Sequence, residues 1–216
     1  MDREKLRNNI MQLSKEDRYK PNEYRVSELV YCPAKSFYYR KLNRKPLLNG
    51  RMLSGLMFHE KLPDIMKGLV EDPEFEVECS KVYRDYRIVG HADVVNSNKV
   101  WEFKYSASKL NGKLPLYYYL QANTYATLLD KQYYAVVFVN SYNLDVNIIE
   151  GKTDKKALKF LEDQAKYIHN SIKNNTVPKG PMYDWECKYC DLKDVCEHYK
   201  KSESDKTKEL LKRLRI

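Results

Sequence analysis

Polar and apolar residues alternate along Phe75–Tyr83 and again along Arg87–Val95, the period-2 pattern of half-buried strands, and Arg84-Asp85-Tyr86 joins them as a hairpin. Ser97-Asn98 supplies the next turn and Lys99–Lys104 a third strand. Tyr133–Asn140 and Leu144–Glu150 form a second strand pair around Ser141-Tyr142-Asn143. Helical spacing appears in Met52–Leu62, which the pattern ends or kinks at Pro63, and in Leu114–Asp130, with Pro115 in its first turn. Thr153 is placed to cap a long helix whose apolar stripe is Leu158, Leu161, Ala165, Ile168 and Ile172. Two prolines and a glycine between Val177 and Pro181 interrupt it, and the first twenty residues read as a charged helix or arm. Helix, three strands, helix, two strands, helix is the order of an α/β core with added material at both ends.

Composition narrows the class. The 216 residues are 43% hydrophobic and 32% charged, values of a globular chain that exclude extended disorder. No apolar run approaches the ~18–20 residues of a membrane span. The charged N-terminus lacks a signal-peptide pattern, which implies a cytoplasmic chain with reduced thiols. Lys and Arg number 39 against 30 acidic residues, a net charge of +9. Between Tyr31 and Arg51 lie Lys35, Arg40, Lys41, Arg44, Lys45 and Arg51 with no acid, interleaved with Phe37, Tyr38 and Tyr39. Such a stretch is expected to track phosphates and stack bases of a single strand, the plainer alternative being a solvated charged surface. Glu71–Glu78 carries the opposite bias, five acids and no base.

Cysteine usage is unusual for a reducing compartment. Cys187, Cys190 and Cys196 form a C-x2-C-x5-C array that converges three thiolates on one centre, and Cys32 or His198 is available as a fourth ligand. Pro33 follows Cys32, as proline often follows cysteine in iron–sulfur runs, yet zinc sites also use C-x2-C pairs; spacing alone leaves both metals open. Cys79 reads as an ordinary strand thiol.

In the strands, Glu102 and Lys104 are two apart and share a face, and a short connection from Asp93 brings the two carboxylates together. Adjacent carboxylates repel unless a cation separates them, and oxygen ligands suit Mg2+ or Mn2+. Taken alone, E-x-K is also a common solvated charge ladder. His59 follows Gly55 by four residues, on one helical face with a glycine that allows close approach to a sheet; Gln121 and Tyr125 share a face of the later helix.

Gly55-x3-His59, Gly90-x2-Asp93, Glu102-x-Lys104 and Gln121-x3-Tyr125 resemble, in order, the RecB-type nuclease motifs of the PD-(D/E)xK superfamily. With Cys32 and the terminal cysteine array, residues 24–200 resemble the CRISPR-associated "Cas-four" exonuclease family. The resemblance implies a restriction-endonuclease-like mixed sheet flanked by helices, with an iron–sulfur segment joining the N- and C-terminal regions. It divides the chain into an arm (1–23), a nuclease core (24–180) with a basic insertion near 35–51, and a cysteine segment with a basic tail (181–216). It implies a Mn2+ or Mg2+ ion held by His59, Asp93, Glu102 and the Phe103 carbonyl. Lys104 would orient or activate water, and Gln121 and Tyr125 would contact DNA or support the lysine. It further implies a 4Fe–4S cluster on Cys32, Cys187, Cys190 and Cys196, and DNA contacts from Lys35, Tyr38, Tyr39, Arg40, Lys41, Arg44 and Lys45. The superfamily's proline before the aspartate is replaced here by His91-Ala92. The implied activity is cleavage of single-stranded DNA from an end, in spacer processing with the CRISPR integrase, by a chain that can self-assemble. A catalytically silent DNA-binding subunit and a zinc-stabilised nucleic-acid-binding protein are the alternatives.

Overall fold

The computed structural model describes residues 2–11, 19–107 and 112–199. The tail from residue 200 onward and most of the link after the first helix, to which charge was attributed above, lie outside the described residues. The helices are α1 (Arg3–Met11), α2 (Val26–Leu29), α3 (Pro33–Lys41), α4 (Gly50–His59), α5 (Leu62–Met66), α6 (Leu116–Leu128) and α7 (Lys155–Lys173). The strands are β1 (Glu23–Arg25), β2 (Glu74–Val82), β3 (Arg87–Val95), β4 (Lys99–Ser106), β5 (Tyr133–Asn140) and β6 (Val146–Lys152), and a 3-10 turn follows at Glu186–Tyr189.

The strands form one mixed sheet. β2 and β3 are the antiparallel hairpin, in register from Glu74↔Val95 to Val82↔Arg87. β4 and β5 run parallel, which requires a crossover, and α6 supplies it. β6 returns antiparallel on β5. The opposite edge of β3 is divided: β1 pairs in parallel with Arg87–Val89, and β4 pairs antiparallel with Val94 and Val95. Between those two ladders the sheet opens.

Helices cover both faces. Ile88, Val100, Val136 and Phe138 pack beneath Leu120, Ala122 and Ala126 of α6 and Leu161, Ala165 and Ile168 of α7. On the other face Val94, Phe103 and Val137 pack against Leu62 and Met66 of α5, with Phe58 of α4 at the margin. A third cluster joins Ala34, Phe37, Tyr38 and Tyr39 of α3 to Leu192, so the helix after Cys32 packs on the cysteine segment. Among the described residues no helix is long and apolar enough to cross a membrane.

Three local expectations are corrected. Pro63 does not end a helix running to Leu62. α4 stops at His59, and Pro63 sits in the first turn of α5, where a missing N–H costs nothing. Asp154, not Thr153, caps α7: its carboxylate accepts the Lys156 N–H, while the Thr153 hydroxyl donates to the Lys131 carbonyl. β6 starts at Val146 because Leu144 turns left-handed, with φ +60°.

Candidate active site

The opening between β3 and β4 holds the carboxylates. Val94 faces Trp101 in the last antiparallel pairs, so Asp93 and Glu102 stand opposite one another where pairing ceases. Asp93 Oδ2 accepts the Phe103 N–H at 2.6 Å, taking the part a ladder carbonyl would play, and Asp93 Oδ1 lies 3.1 Å from His59 Nδ1. α4 therefore delivers His59 from outside the sheet onto a residue in its middle. Gly55 does not serve the close approach expected of it: a Cβ there would meet nothing within 4 Å.

Lys104 closes the other side. Its ammonium donates to Glu102 Oε1 at 2.6 Å and to Gln121 Oε1 at 3.2 Å. The bond to Lys104 fixes which way the Gln121 amide points, so its Nε2 donates to the Tyr125 hydroxyl at 3.2 Å. Tyr125 is buried, with its ring lying on Gly90, where any Cβ would collide with ring carbons. The glycine and tyrosine of two separate motifs thus explain one another.

Burial sets the electrostatics. Glu102 is 2% exposed; loss of water and the adjacent Asp93 push its carboxyl up to about 7, against the lowering effect of Lys104. Burial opposes charge on Lys104, but Glu102 and Asp93 outweigh it and hold the ammonium above its ordinary value. His59 is likewise raised: burial lowers it, and the hydrogen bond and charge of Asp93 overcome that. Glu102 Oε2 is buried without a hydrogen-bond partner, a costly state for a carboxylate oxygen and one that a cation relieves. Donor atoms of His59, Glu76 and Asp93 all lie within 4.8 Å of one another. The residues present therefore fit a hard divalent ion. Glu76 escaped the sequence reading, although it belongs to the acid-rich Glu71–Glu78 run and stands across the hairpin from Asp93.

The expected DNA contacts divide. Tyr38, Tyr39 and Arg40 are not available to a strand. Both tyrosines are buried, Tyr39 donating to Asp191 at 2.6 Å and Tyr38 accepting the Glu197 N–H at 3.3 Å. The Arg40 side chain is 4% exposed, pairs with Glu28 at 2.5 Å and lies 4.4 Å from the Tyr24 ring centre. Sequence proximity to other cations disguised an interior ion pair. Arg44 bridges to Asp194 at the surface, Lys35 sits 5.6 Å over Tyr39, and Lys41 and Lys45 are exposed.

Cys32, Cys187, Cys190 and Cys196 line one cavity of about 250 Å³, together with Tyr31, Lys35 and Trp185. Cys32 precedes α3, and its N–H donates to Glu186 at 2.7 Å, joining it to the cysteine turn. His198, the other candidate for fourth ligand, turns away and hydrogen-bonds the Pro178 carbonyl at 2.7 Å. Burial raises the Cys32 thiol to about 12 and also raises Cys187 and Cys190. Cys79 is a buried strand thiol in the main core.

Residues 51–197 match the PD-(D/E)XK nuclease superfamily. The chain is 25% identical over 186 residues to the CRISPR-associated exonuclease Cas4 of Saccharolobus solfataricus, covering 81% of this chain and 87% of that protein. The crystal structure of SSO0001 superposes with a TM-score of 0.65 at 22% identity, across 92% of this chain and 97% of that one. An alkaline exonuclease (LHK-Exo) from Laribacter hongkongensis shares the fold at a TM-score of 0.53 and 11% identity, across 78% and 93%. With its mixed sheet, its helices on both faces and its match over most of its length, the chain belongs to the PD-(D/E)XK nuclease superfamily.

Proposed function

We propose that this protein is a divalent-metal-dependent deoxyribonuclease that trims single-stranded DNA from an end, in the processing of spacers for a CRISPR integrase. The carrying observation is the opening in the sheet where His59, Asp93, Glu102 and Lys104 converge with one carboxylate oxygen unpaired. His59, Asp93, Glu102 and the Phe103 carbonyl would hold Mn2+ or Mg2+. Such an ion lowers the pKa of its water and polarises the scissile phosphate. Asp93 is locked by the Phe103 N–H, so the carboxylates keep their places without a substrate. Lys104 keeps its proton between Glu102 and Gln121 and offers positive charge to a phosphate oxygen or an incoming water. Gln121 and Tyr125 position that ammonium.

Aromatic rings favour a single strand as substrate. Lys104 lies 5.0 Å over Tyr118, Tyr118 touches Tyr117, and Tyr117 adjoins Tyr183 and the 43% exposed Trp185. These rings offer unpaired bases the stacking surface that the buried Tyr38 and Tyr39 do not. The similarity to a CRISPR-associated exonuclease supports the setting in spacer processing.

The four-cysteine cavity is read as the seat of a 4Fe–4S cluster. Its lining supplies four thiols, Cys32 taking the place open to His198, and thiolates are the ligands of iron–sulfur clusters. Bound there, a cluster would tie residue 32 to residue 196.

The test is cleavage of 5′- and 3′-labelled single strands with and without Mn2+. Wild type should cut only with the metal, and Asp93→Ala, Glu102→Ala and Lys104→Ala should each lose at least roughly a hundredfold. Unchanged cleavage by all three refutes the reading. Protein purified anaerobically should be brown, with about four irons per chain; a colourless protein with one zinc refutes the cluster.

A further inference from the structure

Glu76 belongs to none of the four sequence motifs, yet its carboxylate reaches the site they form. In the β2–β3 hairpin Phe75 pairs with Val94 and Val77 with Ala92, while the position between them, Glu76 opposite Asp93, is skipped. Glu76 has φ +51° in the middle of a strand, a backbone state that residues other than glycine and asparagine rarely adopt. Left-handed residues inside regular elements concentrate at functional sites, where surrounding structure enforces them. This twist interrupts β2 at the one position that faces the catalytic aspartate.

The carboxylate it carries ends beside His59 and Asp93, with all three donor atoms within 4.8 Å. A second observation concerns a different residue. Glu102 is buried with Oε2 unpartnered, and it feels the charges of both Asp93 and His59. Asp93 thus stands between Glu76 of β2 and His59 of α4, within 4.8 Å of it, and Glu102 of β4, opposite it where the β3–β4 pairing ceases.

We propose that Glu76 is a further ligand of the divalent ion, completing a site whose charge matches it. This rests on the metal-dependent reading above. Glu76, Asp93 and Glu102 ionised, set against the Lys104 ammonium, leave two negative charges for a divalent cation to neutralise. Without Glu76 one remains. An all-oxygen addition also suits Mg2+ and Mn2+ better than softer metals. The acidic run Glu71–Glu78 thus contributes one specific ligand, placed by a break in the strand.

The experiment measures Mn2+ binding to the whole protein by electron paramagnetic resonance of the free ion, together with the Mn2+-induced rise in Tm. Glu76→Gln keeps the side-chain shape, Glu76→Asn suits the left-handed backbone, and Asp93→Ala serves as the reference. The expected result is a Kd raised about tenfold to a hundredfold in both Glu76 variants and binding abolished in Asp93→Ala. Far-UV circular dichroism establishes folding, and the asparagine variant keeps the test alive should the glutamine one misfold. Binding within twofold of wild type in the Glu76 variants, with Asp93→Ala defective, overturns the role of Glu76 and leaves the site standing. Wild-type binding in Asp93→Ala overturns the metal site itself.

Discussion

The buried Glu102 makes a prediction about stability that needs no substrate. Its carboxyl moves from an ordinary 4.5 when unfolded to about 7 in the folded, metal-free protein, because burial and Asp93 disfavour the charged form. The folded state therefore binds this proton more tightly than the unfolded state. The resulting stability is complete below pH 4.5 and is lost as pH rises toward 7. At 1.36 kcal/mol per pH unit the loss is about 3 kcal/mol, a large share of a small domain's stability. Glu102→Gln fixes the side chain in a neutral state while still accepting from Lys104. Urea unfolding in chelator at intervals from pH 4.5 to 8 should find the two proteins alike at the acid end. The glutamine variant should gain until it leads by about 3 kcal/mol at pH 8. His59 is raised too and also loses stability with rising pH; Glu102 supplies part of that rise, so the glutamine variant keeps only the share due to Asp93, and repeating the comparison in a His59→Gln background isolates Glu102. Saturating Mn2+ should reverse the order at pH 8, since only the wild type gains a full ligand set. A difference that stays flat with pH, or a metal-free wild type that is the more stable at pH 8, refutes the account of Glu102 as a carboxylate held against its solvation.

Two further substitutions test the framework around the site. Arg40→Ala strands Glu28 in the interior and should cost about 3–5 kcal/mol in urea unfolding, whereas Lys41→Ala and Lys45→Ala should stay within about 0.5 kcal/mol; equal effects would mean that Arg40 is a surface residue. Gly90→Ala drives a methyl into the Tyr125 ring and should cost about 1–3 kcal/mol and weaken cleavage by releasing Gln121 and Lys104, with Gly90→Ala/Tyr125→Leu regaining stability but not activity; a Gly90→Ala protein that melts and cuts as wild type rejects the contact.

What was readable in the chain, and what was not, follows the range of the interactions concerned. β2 to β4 and the β5–β6 pair are visible because period-2 alternation and turn residues are local signals, and the meeting of Asp93 with Glu102 follows from them. β1 is invisible because three residues hold barely one period, and it exists by pairing with Arg87–Val89, more than sixty positions away. Charge is the instructive failure. Arg40 and Lys41 are neighbours in sequence and equal in composition. One is an interior cation answered by Glu28 from the preceding helix, and the other is exposed. Nothing local separates them, since the difference is made by which face of α3 meets the cysteine segment and the core. Glu76 inverts the case. Within an acidic run it resembles Glu74 and Glu78, yet the register with β3 and its left-handed twist bring it alone to His59 and Asp93. Residue type announces what chemistry a chain owns, and pairing across distance decides which copies of that residue type are used. An excess of charge, positive at 35–51 or negative at 71–78, therefore acquires meaning only one side chain at a time, according to whether the fold gives it a partner, water or a metal ion.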